Sequence, residues 1–106
     1  MKNLSDFKNR IQVGVKLKTT YHFLLVGREQ DGTPIYGDEI KPIREISIKQ
    51  SNSFALKTVR QDGKKVDSWC NFPKSSEIEF LNNNTVRILE KQTNGEIKPV
   101  LTYEFI

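Results

Sequence analysis

A single cysteine, Cys70, excludes an internal disulfide and every multi-cysteine zinc framework from this chain of 106 residues. Histidine also occurs once, as His22, so a zinc site would need His22, Cys70 and carboxylates to converge without any local ligand spacing. No run approaches the ~18 apolar residues of a membrane span, and the opening MKNLSDFKNR has no apolar signal core, which predicts an intracellular protein without a membrane partner. Alanine is nearly absent, Ala55 standing alone against 17 Val and Ile; helices favour Ala and β-branched residues fit a pleated sheet, so β-structure is expected. Six glycines and four prolines are too few for a collagen-like or low-complexity chain. What remains is 36% hydrophobic and 28% charged, with 17 Lys+Arg against 13 Asp+Glu and a net charge of +4. That length and balance predict one domain over residues 1–106.

Helical spacing occurs only at the start, where Leu4, Phe7 and Ile11 fall at i, i+3, i+7 and Ser5 is available as a cap. So short a helix needs docking to persist. From Ile11 the period becomes two, with Ile11, Val13, Val15 and Leu17 alternating with polar residues or Gly, the pattern of a half-buried strand. Residues 21–26 are nearly all apolar, predicting a strand covered on both faces, and residues 27–41 read as a long loop of the kind that often carries function. Asp62-Gly63 predicts a two-residue type I′ hairpin in which Leu56 faces Trp69, Phe54 faces Asn71, Arg60 faces Lys65 and Ala55 faces Cys70. Asn94-Gly95 predicts a second hairpin, with Ile88 facing Leu101 and Val86 facing Tyr103. Ile78 and Phe80 point inward, and Pro99 places its part of the last strand at an edge. About seven short antiparallel strands follow, and the expected fold is a mostly β, curved sheet closing into an SH3-like or Tudor-like barrel with a short N-terminal helix.

Few residues invite catalysis. Cys70 and His22 are the one thiol and the one imidazole, but both fall in predicted strands and a buried structural thiol is the simpler reading. Glu77 and Glu79 alternate with apolar residues, as on a solvated sheet face, and no nucleophile elbow or phosphate-binding glycine motif occurs. A non-enzymatic protein without cofactor or metal is expected.

Charge is more informative. Residues 1–20 and 41–74 are basic, whereas 21–40 sum to −3 and 75–106 to −2. Arg60, Lys64 and Lys65 gather at the Asp62-Gly63 turn, either to meet an anion such as a phosphate backbone or to keep a hairpin tip soluble and discourage edge pairing. Trp69 reads as a core residue by its size, or, if exposed beside these cations, as a stacking platform or interface anchor. Lys57, Arg60, Lys64, Lys65, Trp69 and Lys74 are therefore the candidate partner- or nucleic-acid-binding residues.

Gln50-Ser51-Asn52-Ser53-Phe54-Ala55-Leu56, followed by Ser68-Trp69-Cys70-Asn71-Phe72-Pro73-Lys74 and Leu101-Thr102-Tyr103, resembles small uncharacterised proteins of bacteriophages and mobile elements in Gram-positive bacteria. The resemblance spans residues 44–106. Some proteins of that size and setting are anti-CRISPR inhibitors of type II effector nucleases. It implies action in the bacterial cytoplasm, with a host defence nuclease or its bound nucleic acid as partner. Several anti-CRISPR proteins are strongly acidic DNA mimics; the basic balance here points instead to docking on a protein surface or engaging guide RNA or DNA. The alternative is a small-barrel module that contacts phosphate backbone through the basic hairpin.

Overall fold

A computed structural model describes residues 1–106. Helix α1 (Leu4–Arg10) is followed by strands β1 (Lys16–Arg28), β2 (Pro34–Ile40), β3 (Arg44–Lys49), β4 (Ser53–Val59), β5 (Lys65–Asn71), β6 (Ile78–Asn82), β7 (Thr85–Lys91) and β8 (Ile97–Phe105), with one 3-10 turn at Ser75–Glu77. The strands form one antiparallel sheet in the order β5-β4-β3-β1-β8-β7-β6, with β2 attached to β1. As expected, the fold is mostly β with one short helix. Asn3, rather than Ser5, caps that helix by accepting from the Asp6 N–H. The strand expected from Ile11 begins only at Lys16, because Gly14 adopts φ 95° in a turn that leaves Val13 exposed.

The sheet does not close into a barrel. Its end strands β5 and β6 are unpaired with each other. Phe72, Pro73 and the 3-10 turn separate them, and Pro73 has no N–H to extend a ladder. The helix fills the interior instead. The Phe7 ring lies 6.1 Å from each of Phe72, Tyr103 and Phe105, and Ile11 is buried beside it in a cluster with Leu17, Ile46, Phe54, Leu56 and Val86. Helix and sheet are tied by Lys49 Nζ donating to the Lys8 carbonyl at 2.7 Å and by Arg10 donating to the Asn83 carbonyl.

Three hairpins use the same turn chemistry. In each, a pair of residues flanks a three-residue loop: Glu29 and Thr33, Arg60 and Lys64, Gln92 and Glu96. The last loop residue is Gly at φ 90°, 82° and 87°, the left-handed conformation that glycine adopts without steric cost. The residue before it, Asp31, Asp62 or Asn94, accepts from the N–H two residues on. Hydrogen bonds from the Thr33 hydroxyl and N–H hold the Asp31 carboxyl below its ordinary range. Two expectations change as a result. The segment 27–41 is a hairpin rather than a loop, and β4 pairs β5 one residue out of the expected register, with Phe54 opposite Cys70, Leu56 opposite Ser68 and Ala55 opposite Trp69. The β7–β8 turn also gains a residue, but a bulge between Ile88 and Leu89 restores the expected Ile88–Leu101 and Val86–Tyr103 pairs.

Candidate functional site

The register of β4 and β5 decides where Trp69 points. Because opposite residues share a face, Phe54, Leu56, Thr58, Val66, Ser68 and Cys70 line the inner face, and Ala55, Lys57, Lys65, Asp67 and Trp69 line the outer one. Trp69 is thus 51% exposed rather than the centre of the core. Lys57 and Lys65 share its face, so three of the six candidate residues come together. Their charge is partly balanced: Lys57 pairs with Glu45, whose carboxyl is held down first by that hydrogen bond, and Asp67 stands between the lysines, bonded to Ser47 at 2.7 Å. Arg60 and Lys64 flank the turn tip, with Arg60 4.0 Å from Asp62. Lys74 lies beyond the other end of β5, and its N–H is capped by Glu77 at 3.0 Å. Glu77 thus belongs to a turn and not to a carboxylate pair with Glu79, which bonds Arg87 at 3.5 Å.

Cys70 and His22 engage separate partners. Cys70 faces inward against Tyr103, and burial pushes its thiol up despite the Tyr103 hydrogen bond and the Arg44 charge. Arg44 reaches the Thr58 hydroxyl through Nη1 at 3.1 Å, while its Nε and Nη2 are buried without acceptors. The His22 Nδ1 lies 3.1 Å from Asp38 and its Nε2 2.7 Å from the Thr102 hydroxyl. A carboxylate only accepts, so Nδ1–H donates to Asp38, and Nε2 forms the second bond with the Thr102 hydroxyl, accepting from it in the neutral ring. This row joins β1, β2 and β8 at one point. No group of three His, Cys, Asp or Glu side chains stands close enough to hold a metal ion, and no helix is long and apolar enough to cross a membrane.

The largest departure from expectation lies at residues 21–26. Residues 23–26 are apolar on both sides yet exposed, while Tyr21 and His22 are half-buried. The β1–β8 ladder ends at Tyr21–Leu101, and beyond it β1 pairs only with β2. The two strands therefore leave the body as a ribbon. Phe23 (58%) and Tyr36 (61%) are its most exposed aromatics, and Leu25, Val26, Ile35 and Ile40 are exposed with them. Phe23 has φ 56°, a rare conformation for an aromatic residue, at a register shift between Tyr21 and Leu24. Sequence reasoning misses this surface because residues 27–41, with Asp31-Gly32 among them, read as a long loop. The resemblance of Asp31-Gly32 to Asp62-Gly63, between two apolar segments, was the available hairpin signal. Between the ribbon base and the β7–β8 hairpin opens a cavity of about 430 Å³ bordered by His22, Phe23 and Tyr36 on one side and Glu90, Lys98 and Val100 on the other.

Comparison with protein-family models, curated proteins and solved structures gives no match for this chain.

Proposed function

We propose that this chain is a non-catalytic binding protein that docks on a protein partner through the β1–β2 ribbon. One observation carries the reading: a projecting two-stranded ribbon exposes apolar side chains on Phe23, Leu24, Leu25, Val26, Ile35 and Tyr36. An isolated two-stranded ribbon is marginal in water, and contiguous exposed apolar surface marks interaction sites. Residues 21–40 carry a net charge of −3, so the fitting partner offers an apolar groove with a basic rim. The resemblance of residues 44–106 to phage and mobile-element proteins supports an anti-defence role. The partner is then a type II CRISPR effector nuclease of the bacterial host, whose nucleic-acid channel is basic and whose activity the bound ribbon blocks.

Cleavage of target DNA by purified type II effectors is the test. Wild-type protein is expected to suppress cleavage by at least one of them, and Phe23→Ser with Tyr36→Ser to abolish suppression without lowering the melting temperature. Unimpaired cleavage with every effector, or full inhibition by the double variant, overturns the reading.

A second reading rests on Trp69 sharing one outer face with Lys57 and Lys65, which lie to one side of it along β4 and β5. An aromatic platform flanked by cations can stack a base while the lysines meet phosphates. The carboxylates of Glu45 and Asp67 beside those lysines make it the weaker reading.

A further inference from the structure

We infer that the notch between β1 and β8 receives an extended, basic peptide segment of a protein partner, which adds as a strand to the free edge of β1. The inference rests on ribbon docking and names its mode. Past Tyr21–Leu101 the two strands continue but no longer pair, so residues 22–28 of β1 have β2 on one side and nothing on the other. Residues 97–100 of β8 likewise have only β7. The Phe23 irregularity turns β1 away at this point, and the His22–Thr102 bond holds the apex of the resulting notch. Its volume of about 430 Å³ lies within the ~300–1,000 Å³ of ligand sites.

Chemistry selects the edge and the occupant. Pro99 lacks an N–H, and the irregularity at Ile88–Leu89 bends its neighbourhood, so β8 is a poor template for a ladder. The β1 edge has no proline, and its outward N–H and C=O groups are available to an incoming strand. Apolar side chains of that strand fall on Phe23, Tyr36 and Val100. Glu90 is opposed by Lys98 across the β7–β8 ladder, so the charge that favours alternating Lys or Arg side chains is the −3 of residues 21–40.

The probe is a blocked octapeptide of alternating Val and Lys, titrated into the intact protein while backbone amide shifts and hydrogen exchange are followed. Slowed exchange within residues 22–28 is expected, and N-methylation of alternate peptide amides is expected to weaken binding at least about tenfold. Replacing Lys by Glu in the peptide, or Tyr36→Ala in the protein, is expected to weaken it as well. Unaltered exchange along β1, or equal binding of the N-methylated peptide, overturns strand addition. If the ribbon double variant loses nuclease inhibition while the peptide leaves β1 unprotected, docking stands and strand addition falls. If that variant inhibits fully, docking itself falls.

Discussion

Tyr103 and Cys70 show what burial does to single titratable groups. The Tyr103 phenol is pushed well above its ordinary value, chiefly by burial and then by the adjacent Cys70, and burial raises the Cys70 thiol. Both therefore hold their protons to higher pH in the folded chain than in the unfolded one. Unfolding releases protons in that range, so stability is complete below the unfolded thiol's value of ~8.5 and is lost as pH rises through the folded values. The urea midpoint is expected to decline from pH ~8.5 through Cys70 and further above pH ~10 through Tyr103, and Tyr103→Phe, which keeps the ring but removes the phenol, to flatten the decline above pH ~10. An equally steep decline in that variant would contradict the assignment.

Turn length is the decisive quantity among the elements. A three-residue loop in place of a two-residue one shifts β5 by a single position, and a one-residue shift moves every side chain of a strand to the other face. Trp69 is exposed for this reason and no other. The loop in turn depends on Gly63 at φ 82°. Gly63→Ala is expected to cost ~1 kcal/mol in urea denaturation, because an added Cβ penalises that conformation although no neighbour obstructs it. Gly27→Ala is the control: Gly27 has neither positive φ nor a close neighbour, and a change within ~0.5 kcal/mol is expected. Equal losses at both sites would refute the turn argument.

Taken whole, the molecule is less self-contained than its mass suggests. It exposes 7252 Å², against ~6,100 Å² for a compact monomer of 12.3 kDa, and has a radius of gyration of 15.2 Å against ~13 Å. The excess of ~1,100 Å² fits an open sheet with a projecting ribbon, and would suffice for one partner's share of the interface proposed above. Charge is divided along with shape: residues 21–40 carry −3, so the remainder carries +7. Fluorescence titration of labelled single-stranded and duplex oligonucleotides at two salt concentrations separates the two functional readings. Protein docking predicts feeble nucleic-acid binding at physiological salt. Sub-micromolar binding with a steep salt slope, lost on changing Arg60, Lys64 and Lys65 to Ala, would favour the phosphate-binding reading.

Local chemistry was legible in the residues alone. The β class, the docking of a short helix and the turns at Asp62-Gly63 and Asn94-Gly95 follow from periodicity and from glycines beside Asp or Asn, which act over a few residues; the expected Ile88–Leu101 pair is met only because a bulge offsets the longer turn. Of the candidate site, the residue types were legible but their grouping was not. Lys65 and Trp69 share a face of β5 by alternation alone, but Lys57 joins them only through a register that one extra turn residue resets. Residues 21–26 carry the same apolar run whether a second layer covers them or water does. The outcome depends on where the β1–β8 ladder ends and on how much chain remains to cover them, and both are properties of the assembled sheet. Failure to close into a barrel is likewise a tertiary result: Phe7 occupies the interior and Pro73 interrupts the segment that would have brought β5 to β6.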